Sequence, residues 1–157
     1  MKKGIYLILF LSLLLVQCEN RFQSEAKNNI VKINNYYKEF FAIVQSTSMS
    51  ELIENSKSTG YYKENLNWKG NAILTIKTTT HLIVFYSDIV EMFIDDKQVS
   101  KVYKELQQTN EELVRYKNKM DEMIGDMTFD EFKNMPEIEQ IKEKYDLYME
   151  VYYEKLY

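Results

Sequence analysis

The run Asn71-Ala72-Ile73-Leu74-Thr75-Ile76-Lys77-Thr78-Thr79-Thr80-His81-Leu82-Ile83-Val84-Phe85-Tyr86-Ser87-Asp88-Ile89-Val90-Glu91-Met92-Phe93-Ile94 decides the fold. Two readings compete for it. Ile73, Ile76, Thr80, Ile83, Tyr86, Val90 and Phe93 recur at spacings of three and four, which is one face of a helix. Leu82, Phe85, Ile89 and Met92 widen that face, as in a helix surrounded by others. Against this, the β-branched residues of Thr75-Ile76-Lys77-Thr78-Thr79-Thr80 favour a strand. No proline or glycine interrupts the run, which is several times longer than a usual strand of about 5–6 residues. Its length predicts a buried helix.

Helical periodicity continues on both sides. Upstream, Ile30, Ile33, Tyr37, Phe40, Phe41 and Val44 form one apolar face, ended by Gln45-Ser46-Thr47. Ser48-Met49-Ser50-Glu51 reads as a capping box opening a short helix to about Lys57. Residues 58–70 then read as the longest loop. Downstream, Val99, Val102, Leu106, Thr109, Leu113, Tyr116, Met120 and Met123 form a coiled-coil-like seam, flanked by the favourable Glu111/Arg115 pair and stopped at Gly125. Thr128-Phe129-Asp130-Glu131 is a second capping box, and Pro136 is placed for the first turn of a last helix. That helix carries Ile138, Ile141, Tyr145, Tyr148, Tyr152 and Leu156. With one proline and four glycines, the chain lacks the turn residues that sandwiches and barrels need. The expectation is an all-α fold, an antiparallel bundle of three to four long helices plus short ones, forming one domain over residues 25–157.

The start of the chain has a different logic. Lys2 and Lys3 precede an apolar run from Ile5 to Val16, which has the form of an export signal. The run is shorter than the roughly 20 apolar residues a spanning helix needs. Cys18, the sole cysteine, follows directly. Leu15, Val16, Gln17 and Cys18 resemble the lipobox of bacterial lipoproteins, although Gln17 stands where that family usually has Gly, Ala or Ser. The resemblance implies a signal peptide over 1–17, cleavage after Gln17, and lipid attached to Cys18 with fatty acid such as palmitate. Residues 18–24 would be the tether. Two or three acyl chains exceed what stable membrane attachment requires. The protein is therefore expected in a bacterial cell envelope, lipid-anchored to a membrane that it does not span.

Charge and chemistry narrow the function. Residues 1–17 hold two of the 20 basic residues and none of the 24 acids, so the mature chain carries −6. That is the wrong sign for nucleic-acid binding. His81 is the only histidine, which excludes metal motifs built on two. No glycine-rich phosphate loop is present, and Asp95-Asp96 and Glu111-Glu112 read as surface charge. Neither catalysis nor a cofactor nor a metal is expected. Aromatic residues are the remaining signal. Tyr61, Tyr62 and Trp68 in the long loop, with Tyr153 and Tyr157 off the stripe of the last helix, are the candidate partner-binding residues, since Tyr and Trp bury large area at low entropic cost. The expected role is a non-enzymatic macromolecular interaction module with a protein partner. The alternative is a carrier of a small apolar ligand, held in a pocket between helices lined by the 72–94 segment and Met92, Met120 and Met123.

Overall fold

The computed structural model describes residues 24–91, 97–135 and 137–156, without the side chains of 97–103, 148 and 151–156. Every regular element among the described residues is a helix. Helix α1 covers residues 24–44. It is followed by α2 (Met49–Ser58), α3 (Trp68–Glu91), α4 (Lys97–Met123), α5 (Phe129–Lys133) and α6 (Glu137–Leu156).

In the disputed segment three of the four threonines are satisfied inside the helix, while the Thr80 hydroxyl is buried with no partner among the described residues. The hydroxyls of Thr75, Thr78 and Thr79 donate to the carbonyls of Asn71, Leu74 and Thr75 at 3.0, 2.8 and 2.8 Å. Ser87 does the same to Ile83 at 2.7 Å. A buried hydroxyl without a partner costs roughly 1–3 kcal/mol, and bonding four residues back removes that cost. The residues α3 buries are Asn71, Ala72, Thr75, Ile76, Thr79, Thr80, Ile83, Ser87 and Val90. Exposed positions are confined to Lys77, His81, Phe85, Asp88 and Glu91, a narrow stripe four or three residues apart. The helix is thus enclosed on most of its circumference, which is why its apolar face looked so wide.

Inter-helix contacts fix the directions. Lys77 pairs with Asp121 at 2.8 Å and Gln107 donates to Glu91 at 3.3 Å, so α3 and α4 are antiparallel. Lys144 pairs with Glu112 at 2.6 Å and Lys119 pairs with Glu137, so α4 and α6 are antiparallel as well. Tyr37 of α1 bonds Asn110, and Phe40 meets the ring of Tyr116 further along both helices, so α1 runs with α4. The four long helices therefore alternate up and down. Short helices α2 and α5 close the end where α1 stops and α3 begins. The opposite end holds the start of α1, the end of α3, the start of α4 and the end of α6.

The core is continuous. Ile30, Ile33, Tyr37, Phe40, Phe41 and Val44 are all buried in one cluster with Ile76, Ile83, Leu106, Leu113 and Met120. The described part of the α4 seam, Leu106, Thr109, Leu113, Tyr116 and Met120, is buried within the chain, whereas Met123 is 44% exposed and the side chains of Val99 and Val102 lie outside the described residues. On α6 the buried positions are Ile138, Ile141, Tyr145 and Met149. Tyr145 stacks on Tyr37 with centroids 3.7 Å apart, and its hydroxyl donates to Asn34 at 2.7 Å.

The two capping boxes differ. Thr128 and Glu131 form the full reciprocal box at α5. At α2, Ser48 Oγ accepts from Glu51 N at 3.2 Å, but the Glu51 carboxylate reaches one residue further back, to Thr47 N at 2.8 Å and Thr47 Oγ1 at 2.6 Å. Gly125 follows α4 without a left-handed backbone; among described residues only Gly60 has a positive φ, +77°, where a side chain would be strained. Pro136 lies outside the described residues.

Candidate interaction surface

The long loop is shorter than its sequence suggests and is tied down. It runs over 59–67, because α3 begins at Trp68. Asn71, buried in the first turn of α3, clamps it. Its side-chain oxygen accepts from Lys63 N at 2.8 Å, and its amide donates to the carbonyls of Lys63, Leu66 and Asn67 at 3.1, 3.0 and 3.1 Å. Asn67 accepts from Gly70 N at 3.0 Å, which caps the helix start. The loop tyrosines therefore sit on an ordered frame.

The aromatic residues singled out by sequence do not form one patch. Trp68 is half-buried and meets Phe129 and Phe132 of α5 edge-on, at 5.5 and 5.8 Å between centroids. It belongs to the packing of the bundle end, because the turn that starts α3 faces α5. Tyr62 is half-buried with Lys57 over its ring at 5.1 Å. Tyr61 is brought to a different set of residues. Tyr153 falls in α6, but its side chain, with Cys18 and Tyr157 altogether, lies outside the described residues.

An aromatic cluster joins α1 to α3. The rings of Tyr36 and Tyr86 stack at 5.7 Å with 13° between planes. Phe85 meets Tyr86 edge-on at 5.2 Å and is 49% exposed. Burial pushes the Tyr61 hydroxyl above its ordinary range, with smaller pushes from Glu39, Tyr36 and Tyr86. The Tyr36 hydroxyl is raised likewise, by burial first and then by Tyr86 and Glu39. Glu39 is held above the usual carboxylate range by burial. One of its oxygens, Oε2, is shut off from water and has no hydrogen-bond partner among the described residues. The Lys32 ammonium lies over the Tyr86 ring, 4.7 Å from its centroid.

Sequence reading missed Tyr36, Glu39, Phe85 and Tyr86 as site residues. A signal existed for one of them: Phe85 falls at four-residue spacing from Lys77 and His81, so it is the one apolar residue in the solvent stripe of α3. Single exposed apolar side chains such as Leu147 and Met49 are ordinary on a small domain. Phe85 differs in being continuous with three tyrosines.

A second concavity lies between α3 and α4, a groove of about 460 Å³ lined by Val84, Ser87, Asp88, Gln107, Asn110, Glu111, Val114 and Arg115. Its floor is a closed hydrogen-bond chain. Tyr37 Oη donates to Asn110 Oδ1 at 2.7 Å, Asn110 Nδ2 donates to Ser87 Oγ at 2.9 Å, and Ser87 Oγ donates to Ile83 O. Its rim carries charge, with Arg115 and Glu111 3.5 Å apart. The methionines proposed to line a ligand pocket do not gather there: Met120 is in the core, Met123 is exposed beyond it, and Met92 lies outside the described residues.

His81 is exposed in the middle of α3. Among the described residues no group of three or more His, Cys, Asp or Glu side chains is placed to hold a metal ion. No helix among them is long and apolar enough to cross a membrane. Comparison with known proteins finds no matching family model, no matching relative and no matching solved structure.

Proposed function

We propose that the chain is a lipid-anchored interaction module of a bacterial cell envelope, held to a membrane through acyl chains on Cys18 and engaging a protein partner with the α1/α3 face. The interaction half rests on Phe85, a large apolar side chain placed in a polar solvent stripe and backed by Tyr86, Tyr36 and Tyr61. Partly exposed aromatic clusters of this kind are the side chains that dominate binding energy at protein interfaces. No catalytic step is assigned to the domain.

The anchor half rests on the sequence of residues 1–18. Six residue steps lead from Cys18 to Ser24, the first described residue of α1, about 20 Å of fully extended chain. Tyr36 lies twelve residues along the helix, about 18 Å further. An acylated Cys18 would thus present the aromatic cluster within roughly 40 Å of the membrane, within reach of a partner resident in the envelope.

Intact mass of the membrane-extracted protein tests the anchor. A chain beginning at Cys18 plus acyl mass, with Cys18→Ser left unprocessed or released from the membrane, supports it. An unmodified thiol contradicts it. For the interaction, a photo-crosslinking residue at position 85 in intact cells is expected to give a discrete protein adduct, and the absence of any adduct contradicts the assignment of this face.

A second reading, a small-ligand carrier, has the α3/α4 groove in its favour, since several hundred Å³ suits a small molecule. The charged rim and hydrogen-bonded floor fit a polar ligand better than the apolar one expected from sequence.

A further inference from the structure

We propose that the groove between α3 and α4 binds a free α-amino acid with a small apolar side chain, its ammonium held by Asp88 and Glu111 and its carboxylate by Arg115. This rests on the small-ligand reading above, names its ligand, and leaves the protein partner to the α1 side of α3.

Three observations select that ligand. The first is the order of charge along the groove. Ser87 and Asn110 are hydrogen-bonded across it at 2.9 Å, so in this antiparallel pair their neighbours Asp88 and Glu111 lie at nearly one level. Arg115 stands about one turn beyond Glu111 on α4, which puts it about 7.5 Å along the axis from the level of Asn110. The groove is therefore negative at one end and positive at the other. A lone cation meets Arg115 and a lone anion meets two carboxylates, whereas a zwitterion matches both ends. The second is the state of these charges. Among the described residues Asp88 has neither a hydrogen bond nor an ion pair. Arg115 reaches only Glu111, at 3.5 Å, with the two side chains 73% and 70% exposed. An exposed pair of that length holds little, so both groups are available to a ligand. The third is the wall between the charges. Val84 and Val114 lie one turn from Ser87 and Asn110, toward the Arg115 end, and line the groove half-buried. They face a side chain of matching size and polarity.

A single amino acid fits the spacing better than a peptide. Its nitrogen lies about 3.5 Å from the far carboxylate oxygen. A charge-assisted bond of about 2.8 Å at each end brings the span to about 9 Å, comparable with the separation of the two charged levels. Each added peptide unit extends the ligand by up to about 3.6 Å and carries its carboxylate past Arg115. The groove, of about 460 Å³, has the size of small-ligand sites. Its floor is closed by the bonds among Tyr37, Asn110 and Ser87, so the walls are held in register before a ligand arrives and selection falls to the rim.

The test follows the methyl NMR signals of Val84 and Val114 in the full chain in non-ionic detergent. Three probes are titrated: L-valine, valinamide, which lacks the carboxylate, and N-acetyl-valine, which lacks the ammonium. Saturable shifts are expected with L-valine, about tenfold tighter than with either analogue, through loss of a charge-assisted bond in each. Asp88→Asn is expected to weaken L-valine about fivefold and leave N-acetyl-valine unchanged, and Arg115→Gln to weaken L-valine about fivefold and leave valinamide unchanged. Both positions are exposed, so the variants keep the fold. Three results overturn the proposal: no shift with L-valine, an analogue binding as tightly as L-valine, or equal weakening of all three probes by Asp88→Asn. If an analogue binds and L-valine does not, the groove still holds a small polar molecule and only the amino-acid assignment fails. If none of the three binds, the small-ligand reading fails with it, while the crosslink from position 85 reports on the protein partner independently.

Discussion

Two polar sites on the flanks of α3, one around Asn110 and one at Glu39, differ in how their groups are partnered. On the α4 side, Tyr37, Asn110 and Ser87 form a chain in which every donor finds an acceptor, ending on a backbone carbonyl. On the α1 side, Glu39 has an oxygen with no donor among the described residues, on a face that also carries Tyr36, Tyr86 and the exposed Phe85. A satisfied buried network specifies how helices pack, because any shift of register strands its members. An incomplete one is a place where the fold has not finished its own chemistry. The α3/α4 side builds the bundle, and the α1/α3 side is the one proposed to meet a partner.

The largest expected effect is on the closed side. Asn110→Ala leaves the Tyr37 hydroxyl without its acceptor and Ser87 without its donor, at 6% and less exposure, and should cost about 3 kcal/mol in urea unfolding. Tyr37→Phe combined with Asn110→Ala should cost less than the two singles added, because both lose the same bond. Additive losses would show that the chain is not a unit.

Next in size is a change away from both flanks. Thr128→Ala removes the hydroxyl that completes the α5 box and should cost about 1 kcal/mol. Ser48→Ala should cost less, because Glu51 keeps its bonds to Thr47 at the start of α2. Equal losses would mean that the reach back to Thr47 contributes nothing.

On the open side, substitutions should spare stability. Phe85→Ser is expected to change unfolding free energy by less than about 0.5 kcal/mol, as for exposed positions generally. A loss of several kcal/mol would make Phe85 a packing residue and remove it from the surface argument.

The smallest effect has the opposite sign. Burial raises the Glu39 carboxyl, so the folded state holds that proton more tightly than the unfolded chain does. Its contribution to stability is complete below the ordinary carboxylate range and is lost as pH rises through the raised folded value. Glu39→Gln should therefore melt at or slightly above the parent at pH 7, by no more than about 1–2 °C given solvent screening, and should flatten the pH dependence just above 4.5. A lower melting temperature at pH 7 would mean the carboxylate has a stabilising partner.

Sequence carried the bundle but only one corner of the surface. The stripe from Ile30 to Val44 and the seam from Leu106 to Met120 were legible, because spacing along one helix states which residues face inward. The 71–94 run was legible by length, although its threonines argued the other way until their bonds to the preceding turn were seen. Tyr61 was found as a loop aromatic. Its neighbours Tyr36, Glu39 and Tyr86 were not, because spacing says which face a residue occupies and nothing of which helix lies opposite. Trp68 was misplaced for the same reason: the start of α3 meets α5, sixty residues later. Asn71 and Asn110 gave no signal, since a buried asparagine is distinguished from an exposed one only by its partners.

Photo-crosslinking in intact cells, from position 85 in the aromatic cluster and from position 111 on the rim of the α3/α4 groove, tests the division of labour most directly. Both positions are on the surface, so a probe at either should leave the fold intact. The account predicts a discrete protein adduct from position 85 and none from position 111. An adduct from 111 alone would contradict it, and would move the binding face to the side of α3 that is assigned here to holding the bundle together.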